Sequence, residues 1–297
     1  MKPSPFRYHR PRTLDEALAV LAEVGEEGKV LAGGQSLLPI LSMRLAAPAH
    51  LVDVNALPDL DAVRSTPDGV RVGALARHAA VERDRAAHAV QPLLRQALRL
   101  VAHPTIRNRG TAVGSLAHAD PSGELTAALA LTGGTVTLAS LPGRREVAAA
   151  DFFLGPLESA VRPGELAVEA SFPAFAPGTG TSFVEVARRH GDYAVCGVAA
   201  AVTVDGDRRA TAGRVSYISM GPTPVLVEVP LPTGDVSSQE GWTEAADTAV
   251  GTLDPEADIH ATAAYRAHLG RVLTRRALAE AGSAALAARA TAEGVAA

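Results

Sequence analysis

Two short segments of small and hydroxyl-bearing residues could hold an anionic group. The first is Ala32, Gly33, Gly34, Gln35 and Ser36, and the second is Thr111, Ala112, Val113, Gly114 and Ser115. Glycine lets peptide N–H groups turn toward anionic oxygens, and a neighbouring hydroxyl adds a hydrogen-bond donor with little bulk. The two segments therefore predict two loops that form the halves of a diphosphate clamp.

The two segments differ in how strongly they point to a ligand. The first follows a predicted strand and precedes a predicted helix, so it could equally be a tight strand-to-helix turn. The second belongs to a longer string, residues 105–124, that is dense in hydroxyls and small side chains. Within this string Asp120 and Ser122 could instead cap the next helix, and Arg107 and Arg109 could be a solvated pair.

Motifs and charge argue against several other kinds of site. The chain has no G-x-x-x-x-G-K-[ST] sequence and no G-x-G-x-x-G after a strand, which disfavours the commoner nucleotide folds. The formal net charge is -4 with no basic block, so no nucleic acid partner is expected. The lone Cys196 excludes a cysteine-held iron–sulfur cluster in this chain and is predicted to be buried and inert. No metal site is predicted, because the histidines lack ligand spacing.

Length and hydropathy indicate an ordinary globular protein. At 297 residues and 47% hydrophobic content, the chain can form two or three compact units. The N-terminal residues lack the apolar core of a signal peptide, and no stretch approaches the roughly 18 apolar residues of a membrane span. We therefore expect a cytoplasmic protein.

The spacing of apolar residues predicts an α+β chain. Thr13 is the expected N-cap of a helix that ends near Val24. The first part continues with a strand at 29–32, a helix at 37–44 and a strand at 51–54. In the middle part we predict strands at 69–74, 135–138 and 145–147, and helices at 78–82, 90–101 and 125–131.

The Pro- and Gly-rich stretch 173–180 is the predicted linker to a C-terminal domain. Strands at 183–187, 194–205 and 214–220 predict a three-stranded antiparallel sheet, followed by helices at 242–250 and 263–281. The alanine-rich tail after Ser283 is expected to fray. The pattern assigns no function to residues 226–241.

Five strings along the chain resemble motifs of one family. They are A-G-G-Q-S-L-L-P at 32–39, I-R-N-R-G-T at 106–111, A-H-A-D-P-S-G-E at 117–124, R-R-H-G-D-Y-A at 188–194 and G-P-T-P-V at 221–225. These strings are similar to those of the FAD-binding medium subunits of molybdenum hydroxylases, the group that contains carbon monoxide and xanthine dehydrogenases. The resemblance covers essentially the entire chain.

The resemblance implies a fold and a division into domains. It implies a vanillyl-alcohol-oxidase-type FAD-binding domain made of two subdomains, 1–55 and 56–175. A small α+β domain typical of these flavoproteins would occupy 181–285, with a frayed tail at 286–297.

The resemblance also implies which residues bind FAD. Residues Ala32 to Ser36 and Thr111 to Ser115 would hold the diphosphate. Glu124 would lie near the adenosine ribose, and Tyr193 would lie against the isoalloxazine, although Tyr193 could instead be a core strand residue. The implied cofactor-binding set is completed by Leu37, Ala117 and Arg188. Val113 and Glu124 depart from the family pattern, which has glycine and aspartate at these positions.

The function implied by the resemblance is electron transfer. The chain would be the FAD subunit of a heterotrimeric molybdenum hydroxylase, with molybdenum-pterin on a large partner and 2Fe–2S clusters on a small partner, assembled as a dimer of heterotrimers. No catalytic acid or base is expected in this chain. The substrate and the electron acceptor, whether quinone, NAD or oxygen, stay open. The alternatives are a self-contained FAD oxidase or dehydrogenase and a non-enzymatic assembly or storage module.

Overall fold

A parallel sheet begins the fold in the computed structural model, which describes the backbone of residues 2–295 and the side chains of residues 2–291. Its elements are β1 (Arg7–His9), α1 (Leu14–Val24), β2 (Gly28–Leu31), α2 (Leu37–Ser42) and β3 (His50–Asp53), with β3 between β1 and β2. The Thr13 side chain accepts a hydrogen bond from the Glu16 N–H (3.2 Å), which confirms the predicted N-cap. Because β2 and β3 are parallel, the residues after Leu31 and after Asp53 emerge at one edge of the sheet.

An antiparallel sheet forms the middle of the described chain. Its strands are β4 (Val63–Thr66), β5 (Gly69–Gly73), β6 (Thr135–Ser140), β7 (Gly143–Ala148) and, after a short hairpin of β8 (Phe153–Gly155) and β9 (Glu158–Ser159), β10 (Leu166–Pro173). The spatial order is β4-β5-β10-β6-β7. The accompanying helices are α3 (His78–Arg83), α4 (Arg85–Val90), α5 (Pro92–Leu98), α6 (Pro104–Arg107), α7 (Ala112–His118), α8 (Glu124–Thr132) and α9 (Ala149–Phe152). Pro92 interrupts the helix predicted at 90–101, because proline has no N–H to continue α4 and instead starts α5.

The C-terminal sheet contains one strand more than predicted. Within the described residues it runs in the order β11 (Thr179–Ala187), β12 (Ala194–Val204), β13 (Ala210–Ile218) and β14 (Val225–Glu228), all antiparallel. The prediction of three strands missed β14, which is an edge strand that follows Pro222 and Pro224 and, at four residues, is too short to show a period. The α+β class is confirmed.

Two helices cover the outer face of this sheet. They are α10 (Thr243–Gly251) and α11 (Ala263–Val295). The tail predicted to fray from residue 286 is helical as far as Val295, since alanine favours helix and Arg289 Nη2 donates to the Val204 carbonyl (2.9 Å). Residues 296 and 297 of that predicted tail lie outside the described residues.

The stretch 226–241, which had no predicted role, begins in β14 and then packs around Val236 against the covering helices. Val236 is buried, and its carbonyl accepts a hydrogen bond from the Trp242 indole N–H (2.9 Å). A Cβ placed on Gly282 of α11 would come within 2.1 Å of the same carbonyl. The stretch is therefore a strap held against α11, and its contacts are structural.

Helix α8 lies between the middle and C-terminal sheets. Every residue from Leu125 to Thr132 is buried, as expected for a helix that is apolar all round. Leu125 and Leu129 belong to the same core cluster as Val136 of β6 and Ala199 of β12. One continuous core therefore joins the two sheets and fixes the position of the N-terminus of α8.

Candidate cofactor site

The first small-residue segment turns the chain from β2 into α2. Gly34 has φ +72°, in the left-handed region that favours glycine. A Cβ on Gly33 would lie 2.5 Å from the Arg109 carbonyl oxygen and 2.7 Å from the Gly110 Cα. The first segment therefore touches the backbone just before the second, as a two-part clamp requires. The Gln35 amide donates to the Gly33 carbonyl (2.9 Å), so its side chain braces the turn.

The second segment was predicted to be a loop, but it is the start of a helix. Thr111 is the N-cap of α7, and its hydroxyl accepts a hydrogen bond from the Gly114 N–H (3.2 Å). Residues Ala112 to Ser115 are therefore the first helical turn, because a capping threonine and small side chains suit a helix start. A Cβ on Gly114 would stand 4.0 Å from the Ala32 Cβ, which brings the two segments together again.

Val113, which departs from the family pattern, points into the core. Its side chain is 1% exposed and belongs to the same apolar cluster as Leu116 and Leu125. In a helical turn the bulk of this side chain is directed away from the space between the two segments. The departure from glycine at this position therefore leaves the approach of the two segments intact.

Loss of the Thr111 cap should destabilise the fold measurably. Thr111→Val keeps the volume but removes the acceptor of the Gly114 N–H, so the free energy of unfolding should fall by about 1 kcal/mol. Thr111→Ser keeps the acceptor and loses only a methyl group. Urea unfolding of both variants measures the effect, and a valine variant as stable as the wild type would contradict the capping role.

Asn55 and Arg77 connect the two segments, and sequence reasoning missed both. The Asn55 amide nitrogen donates to the Ala32 carbonyl (2.8 Å), and its oxygen accepts from Arg77 Nη2 (2.7 Å). Arg77 Nη1 in turn donates to the Arg109 carbonyl (2.6 Å). The only sequence signal was position, since Asn55 follows β3 and Arg77 precedes α3. Together they link the first segment to the second by side-chain hydrogen bonds.

The polar residues around the second segment have structural partners that differ from those predicted. Asp120 Oδ1 accepts from the Ser122 N–H (2.9 Å), so Asp120 closes a turn, whereas the N-cap of α8 is Gly123 without a side-chain cap. Arg107 is not solvated: it is 2.9 Å from Glu82 and donates to the Val101 carbonyl (2.9 Å). The capping role proposed for Asp120 and Ser122 is therefore wrong for α8.

Two carboxyl groups lie close together at the start of α8, Glu124 on the helix itself and Glu185 on β11. Burial raises the pKa of Glu185 to about 7, and its Oε2 has no hydrogen-bond partner among the described residues. Burial, with the nearby Glu185 charge, also holds the pKa of Glu124 well above its usual range. Near neutral pH the Glu124 carboxyl is therefore mostly protonated and the Glu185 carboxyl partly so, and a protonated carboxyl can donate as well as accept a hydrogen bond.

Tyr193 and Arg188 lie on the loop between β11 and β12. Tyr193 is 68% exposed, so the alternative of a core strand tyrosine is wrong. Partial burial around its hydroxyl, together with the charges of Asp120 and Glu124, raises the pKa of Tyr193, so the hydroxyl lies near the Glu124 carboxyl while much of the ring is exposed. Gly191 in this loop has φ +83°, and a Cβ there would meet the His103 ring at 2.5 Å, so glycine is required. Arg188 is exposed on the same loop.

The predicted site residues thus fall into two clusters. The clamp cluster comprises residues 32–36 and 111–115, and the carboxyl cluster comprises Glu124 and Tyr193 together with Glu185, which was not predicted. Helix α7 runs from the first toward the second, a span of about 10 Å for its seven residues. Leu37 starts α2 beside the clamp, and Ala117 lies near the end of α7.

Two family descriptions match this chain. Residues 4–175 match the "FAD binding domain in molybdopterin dehydrogenase", and residues 181–281 match the "CO dehydrogenase flavoprotein C-terminal domain". The chain belongs to this family of molybdopterin dehydrogenase FAD-binding proteins. The predicted resemblance and fold are thereby confirmed.

Individual members of the family are similar over nearly their full length. The chain is 38% identical to the 6-hydroxypseudooxynicotine dehydrogenase complex subunit alpha of Paenarthrobacter nicotinovorans, across 95% of this chain and 96% of the relative. It is 34% identical to the carbon monoxide dehydrogenase medium chain of Hydrogenophaga pseudoflava, across 94% and 97%. The solved CO dehydrogenase from Oligotropha carboxidovorans superposes with a TM-score of 0.89 at 31% identity, covering 96% of this chain and 100% of that one.

The groups in the two clusters suit the family's cofactor. Ser36 occupies the N-cap position of α2 but its hydroxyl makes no capping hydrogen bond. Hydroxyls and peptide N–H groups are the donors that a diphosphate needs, and the carboxyls of Glu124 and Glu185 suit sugar hydroxyls. The exposed Tyr193 ring offers a face to a flat aromatic ring.

No helix within the described residues combines the length and apolar character needed to cross a bilayer.

Proposed function

We propose that this chain is the FAD-carrying electron-transfer subunit of a heterotrimeric molybdenum hydroxylase. The observation that carries the proposal is the contact between the two small-residue segments, Gly33 against Arg109 and Gly110, in a chain that matches the family's FAD-binding description. Bound FAD supplies the capacity to take up and pass on one or two electrons. The protein supplies position and access.

Each residue proposed to bind FAD has a distinct physical role. Peptide N–H groups and hydroxyls of residues 32–36 and 111–115 would donate to the diphosphate, while Leu37 and Ala117 flank these segments. Glu124 would exchange hydrogen bonds with the adenosine ribose. Tyr193 would shield one face of the flavin ring, and Arg188 would lie beside it on the same loop. No residue of this chain is assigned as a general acid or base, because collecting electrons does not require one.

The proposed partners carry the redox groups that this chain cannot hold. A chain with a single cysteine, buried at position 196, offers no thiolate set for a cluster, and burial raises the pKa of that thiol to about 12. We therefore assign the molybdenum-pterin to a large partner and the 2Fe–2S clusters to a small partner, in a dimer of heterotrimers. Electrons would reach FAD from the 2Fe–2S clusters and leave to an external acceptor. The divisions at 55, 175 and 181 and the cytoplasmic location stay predictions.

The proposal is tested by co-purifying the chain with the products of neighbouring genes. Acid precipitation should release about one FAD per chain into the supernatant, detected by its visible spectrum. In the intact complex, the flavin absorbance should bleach when the complex's substrate is added without oxygen. A chain that folds but releases no flavin would overturn the proposal. Bleaching of the isolated chain by a small organic substrate would overturn the electron-transfer role and favour a self-contained dehydrogenase.

A further inference from the structure

A buried histidine lies directly behind the second segment of the clamp. His78, the first residue of α3, is 3% exposed, and its backbone N–H donates to the Gly110 carbonyl (3.0 Å). Its Nε2 lies 2.9 Å from the Ser115 Oγ. Sequence reasoning did not include His78 in the site, since a lone histidine at a helix start resembles many structural histidines. Its side chain nevertheless contacts a hydroxyl assigned to the diphosphate.

The imidazole is neutral in the folded protein. Burial lowers the pKa of His78 to about 4; the Thr111 backbone near the ring opposes this shift, and the Arg107 charge adds to it. A neutral imidazole carries one ring N–H, so one nitrogen donates and the other accepts. The protonated nitrogen decides whether Ser115 receives a hydrogen bond from the ring or gives one to it.

The surroundings of the ring favour protonation at Nε2. Nδ1 is buried and has no hydrogen-bond partner among the described residues. A proton on Nδ1 would leave a buried N–H without an acceptor, which is rarer in proteins than an unpaired acceptor. A proton on Nε2 finds the Ser115 oxygen at hydrogen-bond distance.

The tautomer determines what Ser115 can do for an anion. If Nε2 donates, the Ser115 oxygen accepts that bond and its own hydrogen is free to point elsewhere. If Nε2 accepts, the hydroxyl hydrogen is used within the protein, and the serine turns lone pairs toward any bound anion. Only the first arrangement makes Ser115 a donor to a diphosphate oxygen.

We propose that His78 is a positioning residue of the diphosphate site, which donates from Nε2 to Ser115 Oγ and thereby turns the serine hydroxyl hydrogen toward the bound anion. This inference rests on the proposed FAD function. Gly110 packs closely against the ring, since a Cβ at that position would come within 2.9 Å of Nδ1. Arg77 anchors the adjacent Arg109 carbonyl, and together these contacts hold the ring in place. The imidazole is therefore the fixed partner of this hydrogen bond, and the Ser115 hydroxyl is the partner that can also reach a ligand.

A double-mutant cycle on FAD affinity tests the coupling. His78→Leu fills much of the ring volume without a donor and should raise the Kd of the apoprotein for FAD about five- to tenfold, the effect of one misdirected hydrogen bond. His78→Gln can still donate to Ser115 and should stay within about twofold of the wild type. In a Ser115→Ala background, His78→Leu should cause no further loss. Additive losses in the double variant would overturn the proposal.

A second measurement needs no variant. Long-range ¹H–¹⁵N correlation spectra of the ¹⁵N-histidine-labelled apoprotein identify the protonated ring nitrogen, and His78 should carry its proton on Nε2 between pH 6 and 9. Protonation of Nδ1 would overturn the proposal even if His78→Leu failed to fold. Failure of the proposed function looks different: the wild type would then bind no FAD, whatever the tautomer. If FAD binds and Ser115→Ala weakens it without coupling to His78, only the positioning role is lost.

Discussion

Gly33→Ala should weaken FAD binding by about 10- to 100-fold, the equivalent of roughly 1–3 kcal/mol of overpacking. The added methyl group would lie 2.5 Å from the Arg109 carbonyl oxygen, a distance that real Cβ contacts do not show. Both neighbours of the new methyl group are backbone, so they can yield only if the two segments of the clamp move apart. The expected measurement is a titration of the apoprotein with FAD, followed by flavin fluorescence.

The control for this variant is Gly206→Ala. Gly206 lies in the turn between β12 and β13, and a Cβ there meets nothing within 4 Å. This variant should bind FAD with wild-type affinity. Far-ultraviolet circular dichroism should show that both variants are folded. Unchanged affinity in the Gly33→Ala variant would show that the contact between the segments does not shape the ligand site.

Glu185→Gln should make the apoprotein more stable at alkaline pH. The pKa of Glu185 is raised by burial from 4.5 to about 7, so the folded state holds this proton more tightly than the unfolded state. Wherever the folded state binds more protons, the free energy of unfolding falls as pH rises, here between about 4.5 and 7. Glutamine cannot ionise and escapes this fall. The variant should match the wild type near pH 4.5 and exceed its unfolding free energy by about 3 kcal/mol at pH 8.

Urea unfolding at pH 4.5, 6 and 8 measures this difference. Glu23→Gln on the exposed face of α1 removes a carboxylate from a solvated position and should change stability little at any of these pH values. Glu124→Gln should act in the same direction as Glu185→Gln, because burial raises its pKa as well. If the advantage of the Glu185→Gln variant did not grow with pH, Glu185 would not be a buried acid.

The parts of the fold that depend on residues close together in the chain were predictable from the sequence. The cap and apolar spacing of α1 identified that helix, and the small residues of both segments indicated that these segments come together. The helical form of the second segment was missed, because Ala112, Val113 and Gly114 read as a flexible string until Thr111 is seen to cap them. Strand β14 was missed because an edge strand four residues long carries almost no periodic signal.

The residues that tie the site together were not predictable, because their partners are distant in the chain. Asn55 bridges Ala32 and Arg77, and His78 reaches Ser115, which is 37 residues away. Such polar residues at the ends of elements look like ordinary caps until the fold brings them together. The raised pKa of Glu185 likewise results from burial in the folded chain, to which its local sequence gives no clue.

The burial of α8 bears on modularity. Two separate family descriptions divide this chain near residue 180, yet Phe183, Ala199 and Ile218 of the second part share one apolar cluster with Leu125 and Leu129 of the first. Cutting the chain at the boundary would expose both sides of that cluster to water. The two parts are thus distinct as families but interdependent in folding, and an exchange of C-terminal domains between relatives must carry the facing surface of α8 with it.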